Sequence, residues 1–153
     1  MLRSEDSGAA VLRLDDFLPY RLSIASNLVS GHIASAYEQL FGLSISEWRL
    51  VAIVAEEGRI AQSAICERSR MDKVTVSRAA IALADRGLVA RVPHDGDRRS
   101  HLLMLTGAGE ELYAQVAPKA LELEARLFAG FSEEELAGFT AMLRRMERAV
   151  LGS

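Results

Sequence analysis

Apolar residues recur at three- and four-residue spacing through most of this chain, and the one break in that rhythm, Leu88 to Leu105, constrains the fold most. Gly87 closes the helical pattern before it. Leu88–Val92 and His101–Leu105 then read as two strands joined by a polar loop containing Pro93, Asp95 and Gly96. A single hairpin inside an otherwise helical chain leaves few architectures open.

The spacing predicts a long first helix from Asp15 or Asp16 to Phe41–Gly42, with Pro19 tolerated in its first turn. Leu18, Leu22, Ala25, Val29, His32, Ile33, Ala36, Tyr37 and Leu40 lie on its apolar stripe. Ser46 is expected to cap a second helix carrying Trp48, Val51, Ala52 and Ala55, which stops at Gly58. A short third helix covers Ala61 to Arg68, and Asp72 opens a fourth that reaches Arg86. After the hairpin, Thr106 caps a fifth helix, which Pro118 is expected to bend. Ser132 and Glu135 form a capping box for a sixth, striped by Leu136, Phe139, Leu143, Met146 and Val150.

Short helices followed by a strand pair are the layout of a winged helix-turn-helix, so the expected fold class is mainly α. The expected division is a flexible arm over 1–14, a helical dimerisation region over 15–45 and 106–153, and a winged helix-turn-helix lobe over 46–105. Dimerisation follows from supply: the outer helices carry apolar stripes that the remaining chain is too short to cover, and a second copy supplies the missing surface.

Several function classes are disfavoured. No stretch reaches the roughly 18–20 consecutive apolar residues of a membrane-spanning helix, so no membrane partner is expected. Met1 to Ala10 lacks the apolar centre of a secretion signal, and the single cysteine, Cys66, suits a reducing compartment; the expected location is the cytoplasm. His32, His94 and His101 are far apart, with no paired ligand spacing, so neither a metal nor another cofactor is expected. There is no Gly-rich phosphate loop, nucleophile elbow or His-Glu-x-x-His, and Glu133 to Glu135 sit at a helix start as capping charges; no enzyme is expected.

The net charge of −3 hides an asymmetry. Residues 68–99 carry Arg68, Arg70, Lys73, Arg78, Arg86, Arg91, Arg98 and Arg99 against four aspartates, a local +4 in a remainder of −7. A basic segment in an acidic protein concentrates attraction for phosphate on one surface, although a charge cluster also reads as a solvated face.

Sequence motifs decide between these. Asp72-Lys73-Val74-Thr75-Val76-Ser77-Arg78, followed by Leu83-Ala84-Asp85-Arg86-Gly87-Leu88-Val89-Ala90-Arg91, resembles the core signature of the MarR family of transcriptional regulators. Asp95-Gly96-Asp97-Arg98-Arg99-Ser100 resembles that family's wing, and Ser46-Glu47-Trp48-Arg49 extends the likeness outward. Ala64-Ile65-Cys66 departs from the usual third helix, although Cys66 stays small and apolar.

On a helix from Asp72, the spacing turns Val76, Ala79, Ala80 and Leu83 inward and Val74, Ser77, Arg78 and Ile81 outward. The N-terminal half of a recognition helix meets base edges in the major groove. Arg78 has the chemistry for guanine O6 and N7, Val74 for a thymine methyl, and Lys73, Thr75 and Ser77 for phosphate or base contacts. Alternatively, Arg78 pairs with Asp85 or with solvent. The resemblance further implies that Arg99 enters the minor groove, steadied by Asp97, with Arg98 on phosphate. Two copies would read an inverted repeat in double-stranded DNA, a palindromic operator.

The resemblance also implies a small-molecule effector, such as an aromatic acid or its thioester, and a repressor released by it. Arg21, His32, Tyr37, Trp48 and Arg49 are the candidates to line that site, the cations for a carboxylate and the rings for an apolar wall. Trp48 equally suits a core anchor, and His32 a core histidine. Two other readings stand beside this one: an oxidant sensor acting through Cys66, and a winged helix that binds only protein.

Overall fold

The structure, a computed structural model, describes residues 8–94 and 96–152, with the backbone alone over 97–100. Its elements run α1 (Leu18–Phe41), α2 (Ile45–Glu57), β1 (Ile60–Ala61), α3 (Gln62–Ser69), α4 (Lys73–Asp85), β2 (Val89–His94), β3 (Asp97–Leu105), α5 (Gly107–Leu127) and α6 (Glu133–Leu151), after a 3-10 turn at Leu14–Asp16. This is the winged helix-turn-helix expected, with four corrections of detail.

First, α1 starts at Leu18 rather than at Asp15 or Asp16, because those aspartates close the separate 3-10 turn. Second, Ser44 caps α2, not Ser46. Its Oγ accepts from Glu47 N at 3.1 Å, and Glu47 Oε1 accepts from Ser44 N at 3.0 Å, a reciprocal box that places Ser46 inside the helix. Third, the strands are longer than predicted. Pro93 lies within β2, and the β2–β3 register holds from Val89↔Leu105 to Pro93↔His101 before an irregularity at Pro93–His94. Proline is admissible there because β2 is an edge of the sheet, whose order is β1–β3–β2. Fourth, Ile60 and Ala61 pair antiparallel with Leu103 and Leu102, so α3 begins one residue late.

One apolar core binds these parts. Leu43, Leu50, Val51, Val54, Ile65, Val76, Leu83, Leu103 and Val116 are fully enclosed, drawing on α2, α3, α4, β3 and α5. Burying a side chain of this kind contributes about 1.5–3 kcal/mol. Gly87, at φ 72°, lets Leu88 N donate back to Leu83 O at 2.9 Å, which ends α4 and turns the chain into the hairpin. Helix α5 runs unbroken through Pro118.

The outer helices are different. Helix α6 has no buried residue, and Phe139, Met142 and Val150 are exposed along it. Leu18, Leu22 and Leu28 are exposed on α1, and Leu121 on α5. Among the described residues, no helix is long and apolar enough to cross a membrane.

Candidate nucleic-acid interface

The positively charged segment resolves into structural and free charges. Arg68 is committed to Glu56 and to Glu57, the latter at 2.7 Å. Arg86 donates to Gly42 O at 3.1 Å and Phe41 O at 3.2 Å, bracing the α4 terminus against the last carbonyls of α1. Lys73 and Arg78 project from α4 into solvent, and Arg78 makes no ion pair with Asp85.

Asp72 anchors the start of α4. Its carboxylate accepts from Thr75 N at 2.7 Å and Thr75 Oγ1 at 2.9 Å. The Thr75 amide, and then its hydroxyl, hold the Asp72 carboxyl below its ordinary range. The Thr75 hydroxyl proton is therefore engaged in the cap, which leaves this residue an oxygen to accept with rather than a free donor.

From that start the helix turns as its spacing predicts. Val76, Ala79, Ala80 and Leu83 are buried, while Val74 is 58% and Ile81 49% exposed. Arg78 is exposed beside them and Ser77 is half-buried. The outward face thus pairs a guanidinium with aliphatic groups on a helix whose back is locked into the core. An open cleft of about 340 Å³ separates α4 from the α2 N-terminus, walled by Ser44, Ser46, Glu47, Thr75 and Arg78.

Beside α4, the β2–β3 hairpin forms the wing. Gly96 N donates to His94 Nδ1 at 3.1 Å at its tip. Asp97, Arg98 and Arg99 belong to β3, and the positions of their side chains, like Asp95, lie outside the described residues.

Of the five residues expected to line an effector site, the structure shows two in contact. Tyr37 and Trp48 meet, with ring centroids 5.4 Å apart, and Tyr113 of α5 stacks on the far side of Trp48 at 6.0 Å. Tyr37 is buried, and that burial, followed by the charge of Glu124, raises its pKa. Arg21, His32 and Arg49 are exposed, so His32 is not a core histidine. Cys66 is half-buried and packs on the core.

Three contributors escaped the sequence reading. Tyr113 completes the aromatic stack. Arg86 ties α4 to α1. Thr106, read only as a cap, also donates from Oγ1 to Gly87 O at 2.6 Å and from N to Leu88 O at 3.1 Å, tying α5 to the end of α4.

Comparison with known proteins agrees with this architecture. A family model described as MarR family matches residues 41–100, the lobe from the end of α1 to the wing. An uncharacterized HTH-type transcriptional regulator of Mycobacterium bovis is 32% identical over 111 residues, 72% of this chain and 69% of the relative. The crystal structure of a MarR/EmrR family transcriptional regulator from Acinetobacter sp. ADP1 superposes with a TM-score of 0.85 at 25% identity, covering 93% of this chain and all of that one. A MarR family regulator from Streptomyces coelicolor, solved in complex with DNA, shares the fold at a TM-score of 0.82 and 20% identity over 94% of this chain and 92% of its own.

Proposed function

Because the chain belongs to the MarR family of transcriptional regulators, we propose that it acts as a homodimeric repressor that reads an inverted-repeat operator through α4 and the wing, and is released by a small aromatic effector. One observation carries this reading: α4 is held by its buried face while Lys73, Val74 and Arg78 are presented outward beside a half-buried Ser77, with the Arg78 charge unspent on Asp85. A preorganised cationic helix loses little conformational freedom when it enters the major groove.

In this reading Arg78 forms a bidentate contact with guanine, while Lys73 and Ser77 serve phosphate or base edges and Thr75 accepts a hydrogen bond. Arg99 enters the adjacent minor groove with Asp97 orienting it, and Arg98 neutralises phosphate. Residues 46–105 form the reading lobe; 15–45 and 106–153 form the dimerisation region, preceded by the arm over 1–14. The exposed apolar faces of α1, α5 and α6 support the division, because surfaces of that character are ordinarily covered in solution. Repression follows when the bound dimer occupies sequence that transcription requires.

Release requires an effector that prefers a dimer geometry in which the two recognition helices no longer match the half-sites. The fold offers the linkage: Arg86 connects α4 to α1, and Thr106 connects it to α5. An aromatic acid or its thioester would rest on the Tyr37–Trp48–Tyr113 rings, with Arg21, His32 or Arg49 supplying the countercharge after helix movement.

Gel-shift titration of Arg78→Ala and Arg99→Ala, with light scattering in parallel, tests the reading surface. Both variants are expected to stay dimeric and to bind operator more weakly. Unchanged affinity in both removes the proposed surface.

A further inference from the structure

We infer that α4 discriminates its half-site by thymine methyl groups on both sides of the Arg78 contact, through Val74 and Ile81. The inference rests on the reading of α4 as the recognition helix and specifies what that helix selects. Val74, Arg78 and Ile81 follow at intervals of four and three residues and so share one stripe of the helix. Both aliphatic side chains are about half exposed or more, on an element whose inward positions are all occupied by core residues. They therefore contribute nothing to the core comparable with Val76 or Leu83. Large apolar groups flanking a guanidinium on a solvated face are placed where neither hydration nor packing in the subunit accounts for them.

Duplex DNA offers one apolar group in the major groove, the 5-methyl of thymine. The charges beside the stripe, Lys73 and Arg78, are complementary to that same partner. Seven residues separate Val74 from Ile81, about 10 Å of helix axis, which is about three base-pair steps if the helix runs parallel to the duplex axis and fewer if it is inclined. The stripe thus specifies a half-site in which two thymines bracket a guanine within about three steps. Burial of one methyl group corresponds to about a fourfold change in affinity.

The test begins with the tightest-binding duplex that the full chain recovers from a random-sequence pool. Replacing single thymines by deoxyuridine removes only the methyl, and fluorescence anisotropy compares the affinities. The expected result is about fourfold weaker binding at each of two positions per half-site, on either side of the guanine whose contribution Arg78→Ala removes. Val74→Ala should erase the uracil sensitivity at one position and Ile81→Ala at the other; both variants place alanine at exposed helical sites. Equal binding of thymine and uracil duplexes at every position, or a uracil effect that survives both variants, overturns the inference while leaving α4 as the reading helix. A selected half-site without bracketing thymines does the same. Recovery of no preferred duplex rejects the recognition-helix reading itself.

Discussion

Gly109 stands where α5 meets the β2–β3 hairpin, and replacing it by alanine should be among the more damaging small changes in the molecule. It lies buried in the first turn of α5, donating to Thr106 Oγ1 at 3.1 Å. A Cβ at this position would overlap the carbonyl oxygen of Leu88 and press on Leu88 C at 3.1 Å and Leu105 Cβ at 3.3 Å. None of these is the yielding tip of a flexible side chain. Relief requires α5 to lift from the hairpin or the Thr106 N to Leu88 O hydrogen bond, 3.1 Å long, to open. Overpacking of this kind costs about 1–3 kcal/mol, and a lost hydrogen bond adds about 1 kcal/mol. The gain in helix propensity from glycine to alanine offsets about 1 kcal/mol, leaving a net loss of about 1–3 kcal/mol.

Gly107, two residues earlier in the same helix, is the control, since nothing lies within 4 Å of a Cβ built there. Urea unfolding at one fixed protein concentration, necessary because association contributes to apparent stability, should place Gly109→Ala well below the parent and Gly107→Ala level with it or slightly above. Equal midpoints for the two variants would refute the close approach of α5 to the hairpin.

Three further outcomes are expected. Phe139→Asp, on the uncovered face of α6, should yield a monomer by light scattering and lose operator binding; an intact dimer would move the interface off this helix. The chain has one tryptophan, so an effector that docks on the Tyr37–Trp48–Tyr113 stack should change its fluorescence at the concentrations that release DNA, whereas release with unaltered emission would put the effector elsewhere. The Asp72 carboxyl is held below its ordinary 3.8 by the Thr75 amide and hydroxyl, so its contribution to stability is present above that value and fades as pH falls through the lower, folded-state value. Acid unfolding of Asp72→Asn followed by circular dichroism should therefore be less steep below about pH 4; a curve with the parent's slope would show that this cap does not couple to protonation.

How far the fold could be read in advance depended on whether a residue's partner was close in sequence. The two faces of α4 were legible because Val76, Ala79, Ala80 and Leu83 repeat at helical spacing, and its start because Asp72 bonds three residues ahead. The α6 box, Ser132 with Glu135, is equally local. The α2 cap carries the same signal, Ser44 and Glu47 three apart, but Ser46 directly before the glutamate offers a competing cap in the sequence. Strand β1 had no local signal at all: two residues become a strand only because Leu102 and Leu103 arrive from forty positions later. Pro93 misled for a related reason, since its admission to a strand depends on which strand is the sheet edge.

The candidate site divided along the same line. The outward face of α4 follows from one helix's periodicity, whereas the surroundings of Trp48 depend on how α1, α2 and α5 pack. Tyr113 stacks on Trp48 across sixty-five positions, a pairing that no local spacing announces. His32 sits at a core-like spacing on α1 but is exposed.

Methylation interference examines the placement of Arg78 against guanine most directly. Guanines premethylated at N7 in the selected operator should block binding at a contacted position in each half-site, the two lying about one helical turn apart, and Arg78→Ala should be indifferent to those same modifications. Binding that tolerates every N7-methylated guanine, or a pattern of blocked positions left unchanged by Arg78→Ala, would contradict the claim that this helix reads the major groove.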